Sequence, residues 1–244
     1  MEVTISKSTL FLSVIFLFLQ YSFSQINDAE KLVVTVSTGW DSSSGVMYLF
    51  EKKGTNWIRD HGPIPVSFGR HGLAWGITGN GVPDSEYHKM EGDNRSPAGI
   101  FDFGYLYGLD STAPAGVSYP YHPITSQTRC VDDTLSQYYN KVVEQDTVTK
   151  DWNSSENMPK IDPDYTYVLV VDYNKDRIRG DGSCIFFHIN NIPTSGCTSM
   201  NKADMLTFLR WLDPAKRVEL IQLPRNEYTT YQNRWQLPSL DFNQ

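Results

Sequence analysis

Short apolar runs rich in β-branched residues, each closed by turn residues, recur along this chain and commit most of it to strands. "KLVVTVST" at 31–38, "VMYLFEKK" at 46–53, "YTYVLVVDY" at 165–173, "SCIFFHI" at 183–189 and "RVELIQL" at 217–223 all fit that description. "GNG" at 79–81 and "GDG" at 180–182 are turn chemistry between such runs. One stretch reads as an amphipathic helix: "NKADMLTFLRWLD" at 201–213. There Met205, Leu209 and Leu212 recur at helical spacing, and Leu206 and Phe208 widen the stripe. Asn201 is placed to cap this helix, with Asp204 three residues on, and Pro214 stops it. "WNSSENM" at 152–158 opens a candidate second, short helix. The expected fold class is therefore mainly β, an α+β chain with few short helices.

The stretch 105–160 is rich in Tyr, Pro, Ser and Asp and has poor periodicity. An irregular segment of that length inside a compact domain tends to be functional, and it reads as an insertion that builds part of a cleft. At the other end of the chain, Lys7 and the apolar run "TLFLSVIFLFLQ" have the layout of a signal peptide, with "SFSQ" as a small-residue cleavage site before Gln25. An uncleaved N-terminal anchor is the alternative; the run is short for a membrane span. The expected organisation is a leader over 1–24 and one domain over 25–244, secreted or periplasmic, with no stable membrane insertion once the leader is cleaved.

The 244 residues carry a formal net charge of −7 and no long basic run, which argues against nucleic acid as a partner. An exported chain meets an oxidising compartment. Its three cysteines are an odd number, so one is left over.

"HINNIPTSGCT" at 188–198 places a histidine at the end of an apolar run and a cysteine nine residues later, ahead of the expected helix. In a strand, Cys184, Phe186 and His188 share one face, and His188 falls at the strand end, where it can reach a cleft. A helix start stabilises a thiolate through its N–H groups and dipole, and an adjacent imidazole can take the thiol proton. Gly196 permits unusual backbone geometry, and the N–H groups of Gly196 and Cys197 can converge on an oxyanion. One short segment thus offers the nucleophile, base and oxyanion donors of acyl transfer. The alternative is a buried thiol and a satisfied core histidine.

"HKMEGDNRSPAGIF" (88–101), "CVDDTLSQYYN" (130–140), "WNSSENM" and "GSCIFFHINNIPTSGCTSM" occur in that order. Together they resemble the L,D-transpeptidase catalytic domain, the YkuD-type family, in its branch with a "PT-x-GC" nucleophile motif. The likeness runs from about Gly62 to Leu223. It implies a β-sandwich-like mixed sheet with a cleft. It also implies attack by cysteine on a peptidoglycan stem peptide, to give an acyl-enzyme that an amine or water resolves, without cofactor or metal. Carried over, Cys197 is the nucleophile and His188 the general base. Ser195 and Gly196 complete the turn, with the Gly196 backbone as oxyanion donor. The chain departs from better-known members in its short His-to-Cys interval and in having Ser199 and Met200, not arginine, after Cys197. That puts donor and acceptor specificity in doubt.

Lys89, Glu91, Asp93 and Arg95 form either a solvated loop held by local ion pairs or a cleft wall that meets a charged stem peptide. Asp132, Asp133, Tyr139 and Asn140 pose the same choice: Tyr and Asn suit peptide groups, and the Asp pair suits the ammonium of a diamino acid. Two adjacent carboxylates also raise a metal, but no His or Cys set accompanies them. Trp152 and Glu156 lie i, i+4 and can share a helix face, with packing the expected role of the Trp. His61, His71, His88 and His122 show no ligand spacing. "NRS" at 94 and "NSS" at 153 fit the glycosylation sequon. If Cys197 must stay free, Cys130 and Cys184 are the available pair, subject to a Cα separation that sequence does not give. The leading expectation is an exported cysteine acyltransferase whose partner is a peptidoglycan stem peptide. Its rivals are a hydrolytic L,D-carboxypeptidase or amidase and a non-catalytic wall-binding module.

Overall fold

The computed structural model describes Ile26 and residues 28–76, 85–161 and 163–242. The segment expected to be a leader, the expected cleavage site and the 79–81 turn lie outside the described residues. The strands are β1 (Lys31–Ser37), β2 (Ser44–Lys53), β3 (Asn56–Ser67), β4 (Leu73–Trp75), β5 (Ser96–Gly108), β6 (Tyr121–Pro123), β7 (Thr128–Val131), β8 (Lys141–Glu144), β9 (Glu156–Asn157), β10 (Tyr167–Val171), β11 (Phe186–Ile189), β12 (Thr198–Met200) and β13 (Val218–Pro224). The helices are α1 (Lys202–Trp211) and α2 (Arg225–Tyr231). The chain is mainly β with few short helices, as its pattern of apolar runs implies. Among the described residues no helix is long and apolar enough to cross a membrane.

One mixed sheet dominates, in the order β10–β11–β12–β3–β2–β1–β13–β5–β4. Strand β5 pairs with β13 and also with β10, so the sheet bends round until its ends meet. This closure leaves β4 and β6 as short edge strands beside β5. Strand β1 lies parallel to β13 and antiparallel to β2, and all seven of its residues are buried. That is why it reads as a continuous apolar run rather than an alternating one. Phe103, Phe187 and Phe208 meet at centroid distances of 5.6–5.7 Å. They join α1 to the sheet, with Met205 and Leu209 fully buried beside them. The Asn201 side chain caps α1 by accepting from the Asp204 N–H at 2.9 Å, and the helix ends at Trp211, ahead of Pro214.

A polar knot crosses the interior. Thr35 and Thr198 both donate to Gln222 Oε1, at 3.0 and 2.8 Å, and Gln222 Nε2 donates to the Pro97 carbonyl. It ties β12, which follows Cys197 directly, to β1, β13 and the start of β5.

Several expectations change. The 105–160 stretch is not irregular: it carries β6, and β8–β7–β9 form a separate three-stranded sheet. No helix opens at 152–158. Glu156 and Asn157 pair with β7 as β9, and a single 3-10 turn follows at Met158–Lys160. Trp152 and Glu156 therefore share no helix face; Trp152 is buried beside Tyr138 instead. Strand β11 begins at Phe186, because Cys184 has φ +53° and breaks the extended chain.

Candidate active site

Two apolar clusters divide the interior. The larger lies between the closed sheet, α1 and α2. The smaller gathers Ile124, Cys130, Met158, Tyr165, Val168, Cys184, Phe186 and Cys197. Strand alternation sorts them: Phe187 and Met200 face the large cluster, Phe186 and Cys197 the small one. His188, two residues past Phe186, shares the face of Cys197. Strands β11 and β12 run parallel with Phe187 opposite Thr198 and His188 opposite Ser199. Ladder spacing then puts the Cα atoms of His188 and Cys197 about 8 Å apart on one diagonal.

The turn that presents Cys197 is held on all sides. The Cys197 carbonyl accepts from Ser96 Oγ at 2.8 Å and from Thr194 Oγ1 at 2.6 Å. Ser96 Oγ also accepts from the Gly69 N–H at 2.9 Å, and the Thr194 backbone bonds Phe68 and Arg70. A Cβ on Gly69 would lie 2.3 Å from the Asn94 carbonyl, so only glycine lets these loops close. Gly196 has φ +154°, and its N–H donates to Thr194 Oγ1 at 3.1 Å. An oxyanion role for that N–H would have to share it. Ser195 is exposed and accepts from Arg70 Nη2 at 3.2 Å. No arginine follows Cys197 closely in sequence, yet Arg70 reaches its turn from the loop after β3.

Cys197 is a free thiol, only 8 % exposed. Cys130 and Cys184 form a disulfide with Cα atoms 6.0 Å apart, which joins β7 to the approach of β11. Cys197 Sγ lies 3.5 Å from the Cys184 carbonyl. The expected support from a helix start is not there. Strand β12 separates Cys197 from α1, and Asn201 already caps that helix. Burial pushes the Cys197 thiol well up, the Glu156 carboxylate pushes it further, and the Phe186 N–H and Lys89 ammonium only partly offset this.

His188 is buried, and burial lowers its pKa; the Ile189 carbonyl and Asp164 pull the other way. Its Nδ1 lies 3.2 Å from the Ile189 carbonyl, an acceptor, so Nδ1 carries the proton and Nε2 keeps a lone pair. The Tyr165 ring stands against the imidazole at 5.5 Å. Tyr165 Oη donates to Glu156 Oε2 at 2.6 Å. Desolvation raises Glu156 to about 7, with Asp132 and Glu91 adding to the rise. Asp132 Oδ1 and Asn157 Oδ1 are buried without a hydrogen-bond partner among the described residues.

The residues offered to substrate are mostly engaged within the chain. Lys89 and Asp93 make a buried ion pair at 2.7 Å, neither a solvated loop nor an open wall. Asp93 also accepts from the Met90 and Arg95 N–H groups. Asp133 accepts from the Asn153 and Leu135 N–H groups, which hold its pKa down. Buried Tyr139 donates to Glu91 at 2.6 Å, and burial then Glu91 push its phenol up. Asn140 donates to the Tyr173 and Asn174 carbonyls and accepts from the Cys184 N–H. It fixes the backbone beside the disulfide. Glu156, Tyr165 and Thr194 also border this centre. In sequence Thr194 is marked only by the "PT-x-GC" pattern, and Tyr165 lies inside an apolar, strand-like run.

The fold and site define a mainly β protein in which a buried free cysteine and a buried histidine share one sheet face beneath a small disulfide-linked lobe. No protein-family model matches the sequence, and no curated protein matches it. Among solved structures, the helical cell shape determining protein Pgp2 from Campylobacter jejuni is similar at a TM-score of 0.40 and 13% identity. The match covers 80% of this chain and 48% of that one, so the chain spans about half the length of Pgp2.

Proposed function

We propose that the chain is an exported cysteine acyltransferase of the L,D-transpeptidase type, acting on peptidoglycan stem peptides through an acyl-enzyme on Cys197. One observation carries this reading: a neutral imidazole, its Nδ1 engaged by a carbonyl, shares a sheet face with the one free thiol among the described residues. Nε2 of His188 takes the thiol proton as the sulfur attacks the peptide carbonyl. The imidazolium returns the proton to the leaving amine, which leaves a thioester. An acceptor amine, or water, then attacks the thioester, giving its proton to His188 and regenerating the thiol. In the resting state the thiol holds its proton, so activation belongs to the substrate-bound state. Arg70, exposed beside Ser195, suits a substrate carboxylate. The unpartnered oxygen of Asp132 suits an ammonium.

The test is incubation with disaccharide tetrapeptide and mass analysis of the products. Cross-linked dimers are expected, tripeptide alone means a hydrolase, and turnover by Cys197→Ala would overturn the assignment. His188→Ala is expected to lose at least about a hundredfold in rate.

A further inference from the structure

A groove of about 550 Å³ opens on the outer face of β5 and β10, lined by Tyr105, Tyr107, Tyr119, Lys141, Val170 and Asp172 among others. It does not contain Cys197, but Tyr107, Val142 and Val170 belong both to its wall and to the packing around the cluster that buries the thiol.

A bulge in the sheet makes this groove. Leu169 pairs with Leu106, and two residues on Val171 pairs with Phe103, so β5 carries one extra residue there. Phe103 and Leu106 both belong to the large core. The inserted residue lets Gly104 and Tyr105 turn outward between them. A Cβ on Gly104 would lie 2.6 Å from Asp172 Oδ1, so glycine lets that carboxylate approach the groove floor. Tyr105 is 56 % exposed, yet its ring is not loose. His122 meets it edge-on at 4.6 Å and lies against Tyr107 at 5.5 Å. The ladder places His122 opposite Tyr107 between β6 and β5, which brings the imidazole to these two rings. The result is an aromatic platform set in advance. Lys141 makes no ion pair among the described residues, and Asp172 is held at 3.3 Å by Lys175.

We propose that this groove binds a pyranose chain, with a sugar ring stacked on Tyr105 and its hydroxyls on Lys141 and Asp172. A pyranose offers a flat C–H face to an aromatic ring and a rim of hydroxyls to charged groups. Addition of a peptide as a further strand is closed off, since β5 and β10 already pair with each other and with β6 and β11 on their flanks. The choice of an N-acetylated amino sugar rests on the peptidoglycan reading above.

The probe is an N-acetylglucosamine tetramer, titrated by NMR or calorimetry into the Cys197→Ala chain, which needs no turnover. Saturable binding is expected. Tyr105→Ala should weaken it about 5- to 10-fold and His122→Ala by less, with unchanged circular dichroism. Lys141→Ala provides a second, non-aromatic arm and should also weaken binding. No saturable binding up to about 10 mM, binding indifferent to Tyr105→Ala and Lys141→Ala, or displacement by sugar-free stem peptide would each overturn the proposal. Sugar binding by a chain whose wild type proves inert toward tetrapeptide would sink the transferase reading and leave the groove standing. Cross-linking without sugar binding would do the reverse.

Discussion

The two interior clusters meet across β10 and β11 and hold different kinds of chemistry. On one face of the sheet, Phe103, Phe187 and Phe208 interlock, and tyrosines are the titratable members of the buried cluster around them. On the other, residues one position along the same strands surround a thiol, an imidazole, a phenol and a carboxyl. Burial shifts the thiol, phenol and carboxyl upward and the imidazole downward, so every one of them is held toward its neutral form. The first face stabilises the fold. The second stores groups that a substrate can convert to charged forms.

Damage to one face, read out at the other, tests whether the two clusters are independent. Phe208→Ala should cost about 3–5 kcal/mol in urea unfolding, with the alkylation rate of Cys197 in the folded chain unchanged. A rate that moves with it would mean the clusters are one unit. On the second face, Cys130→Ser with Cys184→Ser opens a loop with a sequence separation of 54. The lost chain constraint is worth about 4 kcal/mol at most. Here the alkylation rate should rise, because the lobe over the thiol loosens.

The split between the faces was partly legible in the sequence. The runs at 31–38, 46–53, 165–173 and 217–223 were legible because residues buried on both faces read as unbroken apolar stretches. Strand β3 was not: "NWIRDHGPIPVS" is mostly exposed, with two prolines and a glycine, and its long pairing with β2, joined by β12 at Ser67, makes it a strand. The three-stranded sheet in 105–160 escaped because its strands are 2–4 residues long, too short for a period to show. Cys197 and His188 stood out by residue type. Glu156 and Tyr165 did not, since they come from separate short elements joined by a side-chain bond. The expected helix behind Cys197 exists, but three residues of strand intervene, and local sequence cannot distinguish a capped start from an open one.

Glu156 tests whether the second face resists charge. Its folded pKa of about 7 lies above the ordinary value of 4.5, so the folded chain binds the extra proton between those values. Stability therefore falls as pH rises from about 4.5 to 7, by on the order of 3 kcal/mol, and stays lower above that. Glu156→Gln should remove this slope and stabilise the chain above pH 7, with little change near pH 4. Because the Glu156 charge also raises the Cys197 thiol, the same variant should alkylate faster at pH 8–9. An unchanged slope would mean the carboxyl is solvated.

Tyr165→Phe should have the smallest effect, and its value lies in separating two roles of one side chain. The phenol oxygen serves Glu156, and the ring serves His188. Phenylalanine keeps the ring and removes the bond, so the expected cost is about 1 kcal/mol. The lost bond was holding Glu156 down, so the downward slope of stability with pH should extend to higher pH. The imidazole keeps its edge contact, so turnover at a fixed protonation state should change less than about threefold, whereas Tyr165→Leu, which removes the ring, should cost more. If Phe and Leu are equally damaging, the hydroxyl rather than the ring governs His188, and the carboxyl and the imidazole form one titrating unit through Tyr165.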